Sequence, residues 1–326
     1  MDSKFKYMVC TQCITYNHKL FIEDALHGFA IQKTTFPIVT VVIDDASTDG
    51  EGQLLRHWTA ENLDLESESA FERDPEYAHI ICAPLKDNVL HTFVFLFLRE
   101  NHYSQNKSKN PYFDEWTSNA KYLATCEGDD YWTEPLKLQK QVDYLERFPD
   151  VSVTCHRYKV YDLELDKWDT DGNEKRFSGV KDGFRFNSSQ NTGWMTKYLS
   201  LVYRAEVLDE YRKMGSSLDY ILVYFLFKNG DAYIFNEFWG VYRRHEGGVW
   251  SKSSMLRKAQ KAYAAVKHLY EFDPNPNTRY KYYDRYATLF VLSRGGVLFQ
   301  EKFEIRKFLS LFRFLGLKMY YRLLNR

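Results

Sequence analysis

The chain has 326 residues, enough to bury a full core as one large domain with an appendage. Its 44 Lys and Arg balance 44 Asp and Glu, so it lacks the global basic field that drives nucleic-acid binding, and a polyanionic partner is disfavoured. Five scattered cysteines form no disulfide framework, no signal-peptide core follows Met1 and no run of about 18 apolar residues occurs, so the expected compartment is the reducing cytoplasm.

In chain order, Tyr7 to Thr15 reads as a strand that ends in Tyr16-Asn17-His18. Cys10 and Cys13 have CxxC spacing within it but no second Cys/His pair, and read as buried thiols. Ile22, Leu26, Phe29 and Ala30 recur on one helical face. Phe36 to Ile43 is a continuous apolar run, as expected of a parallel strand covered on both faces. It stops at Asp44-Asp45-Ala46-Ser47-Thr48-Asp49-Gly50, a turn that also offers a helix cap, which completes a βαβ unit. Asn62 to Glu76 is acidic and reads as a surface insertion, His79 to Ala83 as a third strand, and Val89 to Leu98 as a strongly apolar helix. Asn101 to Trp116, polar and aromatic, reads as a loop near a cleft.

Tyr122-Leu123-Ala124-Thr125 reads as the end of a buried strand, followed by Cys126-Glu127-Gly128-Asp129-Asp130-Tyr131-Trp132 and a helix to Arg147. Val151 to Cys155 is a further strand and Asp162 to Gly183 an exposed hairpin or excursion. A strand is expected from Trp194 to Tyr203, and helices over Ala205 to Lys213 and over Leu218 to Lys228, the latter opening on Asp219. The apolar run Ala232 to Tyr242 leads into Arg243-Arg244-His245-Glu246-Gly247-Gly248, and the pattern is helical beyond Trp250. The last stretch interleaves Lys302, Arg306, Lys307, Arg313, Lys318, Arg322 and Arg326 with Phe, Leu and Tyr. Such a segment either lies on an anionic membrane surface or docks on the main domain with its cations toward water.

Glu127, Asp129 and Asp130 place three carboxylates within four residues where a strand stops. Like charges so close repel unless a positive group sits among them, and a hard divalent cation with oxygen ligands answers that requirement. The simpler alternative is that the two aspartates shape a turn and cap the next helix.

Thr15-Tyr16-Asn17-His18, the Asp44 to Asp49 turn, Glu127-Gly128-Asp129-Asp130-Tyr131-Trp132 and Tyr242-Arg243-Arg244-His245, in that order, resemble glycosyltransferase family 2 over roughly residues 7 to 250. The resemblance implies an α/β chain of the GT-A fold, a Rossmann-like nucleotide-diphospho-sugar transferase architecture, over residues 1–250, with a helical C-terminal extension over 251–326. It implies inverting transfer of a sugar from a nucleotide-diphosphate donor, with Mn²⁺ or Mg²⁺ held by Asp130 and His245 and the donor contacted by Thr15, Tyr16, Asn17, Asp45, Ser47, Asp129 and Arg243. Strand-end placement of these residues agrees with ligand binding at the carboxyl ends of an open sheet. An ionised Asp45 accepts the N3 proton of uracil, which cytosine lacks, so UDP is the expected nucleotide. Asp219 matches the base that deprotonates the acceptor, with Asp209 and Glu210 as rivals. Glu127 stands where much of the family has Asp, and its metal role stays open. The expected acceptor is a glycan or lipid-linked glycan of a surface-polysaccharide pathway, and peripheral contact with the inner face of the cell membrane through the C-terminal segment goes with it. Leu218 and Glu127 also suit a sugar-nucleotide-binding subunit without catalysis, whereas a nucleotidyltransferase would require a Gly-rich phosphate loop that Thr15 to Lys19 does not supply.

Overall fold

The computed structural model describes residues 4–187, 197–214, 219–247 and 254–293. β1 (Tyr7–Thr15), α1 (Ile22–Ala30) and β2 (Ile38–Asp44) form the expected βαβ unit, with β1 and β2 in parallel register from Val9 against Ile38 to Thr15 against Asp44. All seven residues of β2 are buried, as a continuous apolar run covered on both faces requires. α1 turns Ile22, Ala25, Leu26 and Phe29 into the core at three- and four-residue spacing. α2 (Glu51–Asn62) then leads to β3 (Phe71–Arg73), an exposed outer strand within the acidic insertion, and to β4 (Ala78–Leu85).

Residues 89–98 are not a helix. They belong to strand β5 (Asn88–Leu98), which turns back from β4 through Lys86 and Asp87 and pairs in parallel with β2 on its other side. Phe93, Phe95 and Phe97 alternate along one face, their neighbouring rings 6.0 and 6.2 Å apart, and Trp58 of α2 lies 5.1 Å from Phe93. A strand paired on both edges and covered on both faces needs no polar alternation. Its sequence therefore looks like that of a buried helix, and only the β-branched and aromatic content with the two-residue turn argues otherwise.

After a segment that holds a 3₁₀ turn (Asn110–Phe113) and the short α3 (Asp114–Thr117), β6 (Ala120–Thr125) pairs in parallel with β1. Next come β7 (Tyr131–Trp132), α4 (Lys137–Arg147), β8 (Val151–Asp162), β9 (Lys167–Thr170), α5 (Glu174–Phe177) and β10 (Gly183–Phe186). β8 and β9 form the hairpin expected after Asp162. The strand expected from Trp194 falls partly outside the described residues, and the remainder gives a 3₁₀ turn (Tyr198–Ser200) and the three-residue β11 (Val202–Arg204). α6 (Val207–Lys213), α7 (Asp219–Lys228) and β12 (Asp231–Arg244) follow.

Among the described residues the strands form one sheet in the order β10-β12-β8-β11-β6-β1-β2-β5-β4-β3, with β7 added to β12 and β9 to β8. β1, β2, β5, β6, β8 and β12 all run the same way, so Thr15, Asp44, Leu98 and Thr125 end along one edge. β8 and β12 continue past that edge as a parallel pair. Register shifts between Phe235 and Gly240 bend β12 so that Gly240 and Val241 pair with Trp132 and Tyr131 of β7.

The chain divides into two compact units, Met1–Glu210 with Val223–His245, which holds the sheet, and Tyr211–Leu222 with Glu246–Arg326. In the second, α8 (Met255–Phe272) and α9 (Pro276–Leu292) pack through Ala259, Tyr263, Val266, Tyr282, Tyr286 and Leu289, and the Tyr263 hydroxyl donates to that of Tyr282 at 3.2 Å. Gly248 and the basic stretch from Lys302 to Arg326 lie outside the described residues. No helix among the described residues is long and apolar enough to cross a membrane. All five cysteines are free and buried, and burial drives the Cys10 and Cys13 thiols up.

Lys137, at the start of α4, is fully buried with its Nζ 3.9 Å above the Trp132 ring and no hydrogen-bond partner among the described residues. Burial lowers its ammonium from 10.5 to about 7. The unfolded chain therefore binds this proton more tightly than the folded one. The penalty is complete below about pH 7, shrinks as pH rises and vanishes above the unfolded value. Lys137→Met is expected to raise stability at about pH 7 by roughly 2 kcal/mol, with the gain fading toward about pH 10. Thermal denaturation across that range checks it, and an unchanged or lowered midpoint at neutral pH would count against a buried charge.

Candidate functional site

Residues 126–128 run on beside β1: the Cys126 amide donates to Gln12 O and the Gly128 amide to Ile14 O, both at 3.1 Å. A Cβ on Gly128 would lie 2.3 Å from Thr15 Oγ1, so the glycine inside the acidic motif is there because Thr15 occupies the space. The chain then turns, with the Asp130 amide donating to Glu127 O at 3.1 Å, and delivers Asp129 and Asp130 to the carboxyl edge of the sheet.

The loops after β1 and β2 are joined to each other. Asn17 adopts the left-handed conformation (φ 56°), which Asn tolerates better than most residues. Its amide donates to Ser47 Oγ at 2.9 Å and its Oδ1 accepts from the Thr48 amide at 2.8 Å. The Lys19 amide donates to Asp49 Oδ2 at 3.0 Å, and the Ser47 amide to Asp44 Oδ1 at 2.9 Å. Glu51, the first residue of α2, lies fully buried between the loops. It accepts from the Thr15 hydroxyl, from the His18 amide at 2.8 Å and from the Ser47 hydroxyl at 2.9 Å. Burial raises the Glu51 carboxyl and these hydrogen bonds oppose the rise. Sequence reading passed over Glu51, although an acidic residue in the first turn of a helix was a visible signal.

Asp45 is 1% exposed. Its carboxylate accepts from the His102 amide at 2.7 Å, the Tyr103 amide at 3.1 Å and Lys109 Nζ at 2.9 Å, while Asn101 Nδ2 donates to its main-chain oxygen at 3.0 Å. The polar, aromatic segment expected near the cleft therefore folds directly over Asp45. Tyr16, in the loop after β1, is exposed.

β12 brings Arg243 and His245 to the two aspartates. The Arg243 amide donates to Asp130 Oδ1 at 2.9 Å, and its guanidinium donates to Asp129 O at 3.1 Å and to the Asp24 carboxylate. The same guanidinium lies 4.3 Å from the Tyr131 ring centroid. His245 Nε2 is 3.1 Å and His18 Nε2 3.9 Å from Asp129 Oδ2, and one ligand atom from each of the three residues lies within 4.8 Å of the others. The ligand-capable group thus has Asp129 and His18 beside His245. Asp130, assigned to the metal from the resemblance, lies outside this group and accepts from the Arg243 amide at Oδ1. Glu127 is exposed and stands outside this group.

The two aspartates divide the charge between them. Burial pushes Asp130 well above the usual carboxylate range, and neighbouring Asp129 adds to the rise. Burial acts on Asp129 too, but the His245 hydrogen bond and the imidazoles of His18 and His245 outweigh it and hold Asp129 below that range. Burial also lowers His18, against the pull of Asp129. Two imidazole nitrogens and one carboxylate oxygen form a set that can hold a divalent metal ion.

Asp219 is the first residue of α7, and its side chain lies outside what is described. It belongs to the second unit.

No family model matches the chain. Uncharacterised proteins of Mycobacterium bovis and Mycobacterium tuberculosis are 30% identical to it over 251 residues, or 75% of this chain, and the matched region spans 61% of their length. Staphylococcus aureus TarS 1–349, crystallised with UDP-GlcNAc, superposes with a TM-score of 0.55 at 13% identity, covering 94% of this chain and 79% of that one. A mannosyltransferase from Pyrobaculum calidifontis, in complex with GDP-Man and Mn²⁺, superposes with a TM-score of 0.53 at 15% identity, covering 97% and 81%. At such identities the likeness establishes architecture: the chain is a mixed α/β protein of the GT-A type.

Proposed function

We propose that this chain is an inverting, metal-dependent glycosyltransferase of family 2 that moves a sugar from a nucleotide-diphosphate donor, with UDP as the nucleotide, to a glycan or lipid-linked glycan acceptor. The observation that carries the reading is the His18, Asp129 and His245 group held at the carboxyl edge of a GT-A-type sheet. The ligands of the two structural neighbours, UDP-GlcNAc in one and GDP-Man with Mn²⁺ in the other, support a nucleotide-sugar donor and a dication. We place the transferase domain over residues 1–250 and a helical extension over 251–326, in a cytoplasmic protein at the inner face of the membrane.

Mn²⁺ bound there would stabilise the negative charge of the departing diphosphate. Asp129, His245 and His18 would hold it. Asp130 keeps the β12 end in place through the Arg243 amide, and Arg243 adds positive charge for a phosphate oxygen. Asn17, Thr15 and Ser47 shape the wall of the donor site, and Tyr16 offers a face for the base. For Asp45 to accept the uracil N3 proton, the segment carrying His102, Tyr103 and Lys109 must move aside, because those groups cover its carboxylate. Asp219 is the proposed base for the acceptor hydroxyl.

Calorimetry is expected to show UDP binding that depends on Mn²⁺ and weakens at least about tenfold in Asp129→Ala, with GDP binding more weakly. No nucleotide binding in either metal condition would return the acidic motif to the role of a turn. In transfer assays with a responsive donor and acceptor, Asp219→Asn should lower kcat by about 10²- to 10⁴-fold while leaving UDP affinity unchanged. An unaltered kcat would move the base to another residue, with Asp209 and Glu210 next in line. Removing residues 296–326 should release the protein from anionic vesicles, and undiminished binding of the truncated form would take away the support for a lipid-linked acceptor.

A further inference from the structure

Thr15 has one hydroxyl proton, and the structure directs it to Glu51 Oε1. The other Glu51 oxygen accepts from the His18 amide and the Ser47 hydroxyl, so its partners are donors and Glu51 serves them as a carboxylate. Thr15 Oγ1 also lies 3.2 Å from His18 Nδ1. With its proton given to Glu51, the hydroxyl can only accept there, and His18 Nδ1 must carry the hydrogen. In the neutral ring this leaves the lone pair on Nε2, the atom that lies 3.9 Å from Asp129 Oδ2 and shares the cluster with His245.

We propose that Glu51, acting through Thr15, fixes His18 in the tautomer that makes it a third metal ligand. This rests on the metal-dependent reading above. Glu51 and Thr15 are positioning residues here. Glu51 grips His18 at two places, its main-chain amide directly and its ring through the hydroxyl, so both the position and the protonation of the imidazole follow from one buried carboxylate. The arrangement has the form in which proteins orient metal-bound imidazoles, with the ring nitrogen away from the metal donating to an acceptor that is itself anchored.

The test uses the full chain in two arms. In metal-free protein near neutral pH, long-range ¹H–¹⁵N spectra of the imidazoles should show His18 as the Nδ1–H tautomer. Thr15→Val, which keeps the shape and removes the hydroxyl, should lose that preference, and Thr15→Ser should keep it. In the second arm, Mn²⁺ titration should show about ten- to hundredfold weaker binding in Thr15→Val and near wild-type binding in Thr15→Ser. A purely structural role for the hydroxyl would leave the tautomer unchanged. Wild-type His18 in the Nε2–H form overturns the relay even if Thr15→Val does not fold. Normal Mn²⁺ binding with unchanged affinity in Thr15→Val overturns the relay alone. A wild-type protein that binds no Mn²⁺ overturns the metal reading, and the ligand role of His18 with it, while the tautomer spectra still decide whether Thr15 sets the ring.

Discussion

Two adjacent carboxylates, Asp129 half-buried and Asp130 buried, follow the end of β6, and the surrounding structure is arranged so that they need not carry charge in the same way. Asp130 lies against the Arg243 amide, in surroundings that favour its protonated form. Asp129 lies against two imidazoles that favour its ionised form. Environments that push neighbouring titratable groups apart in this way are a property of functional sites more often than of turns. The partners come from distant parts of the chain, His18 from the loop after β1 and Arg243 and His245 from the end of β12, so the pair can be buried only once the sheet is assembled.

The same constraint explains the loops. A carboxylate at Asp129 needs His18 in one place, and His18 is held because Glu51 draws the loops after β1 and β2 onto the start of α2. Asn17 and Ser47, named from sequence as donor contacts, spend their nearest hydrogen bonds on joining these two loops. Asp45 is likewise satisfied by its own chain, through two amides and Lys109. The edge of the sheet is thus a set of interlocked turns, and a nucleotide would meet groups already positioned by one another. Such preorganisation limits the reordering that binding requires, with the segment over Asp45 as the part that must yield.

Much of this was readable beforehand where local pattern and tertiary demand coincide. β1 and β2 were legible because short apolar runs ended abruptly in polar turns, and α1 because its apolar residues repeat at helical spacing. β5 was misread because a strand buried on both faces loses the alternation that distinguishes it from a helix. β7 has two residues and exists only because β12 bends to meet it. In the acidic motif the sequence showed that carboxylates would gather at a strand end, but not which would face the imidazoles. That choice depends on the turn at Glu127 to Asp130 and on Gly128 pressing against Thr15.

By itself, then, the sequence determined the parallel βαβ start, the placement of acidic and polar turns at strand ends, and the burial of Cys10 and Cys13 in β1, because each follows from neighbours within a few residues. The tertiary structure decided that Asp129 rather than Asp130 meets His245, that His18 joins them, that Glu51 anchors His18, and that Asp45 lies beneath the segment from Asn101 to Lys109. These pairings span from about 30 to more than 200 positions in the chain. They are set by strand order, by register and by the bend in β12, and none of these is written in any local pattern of residues.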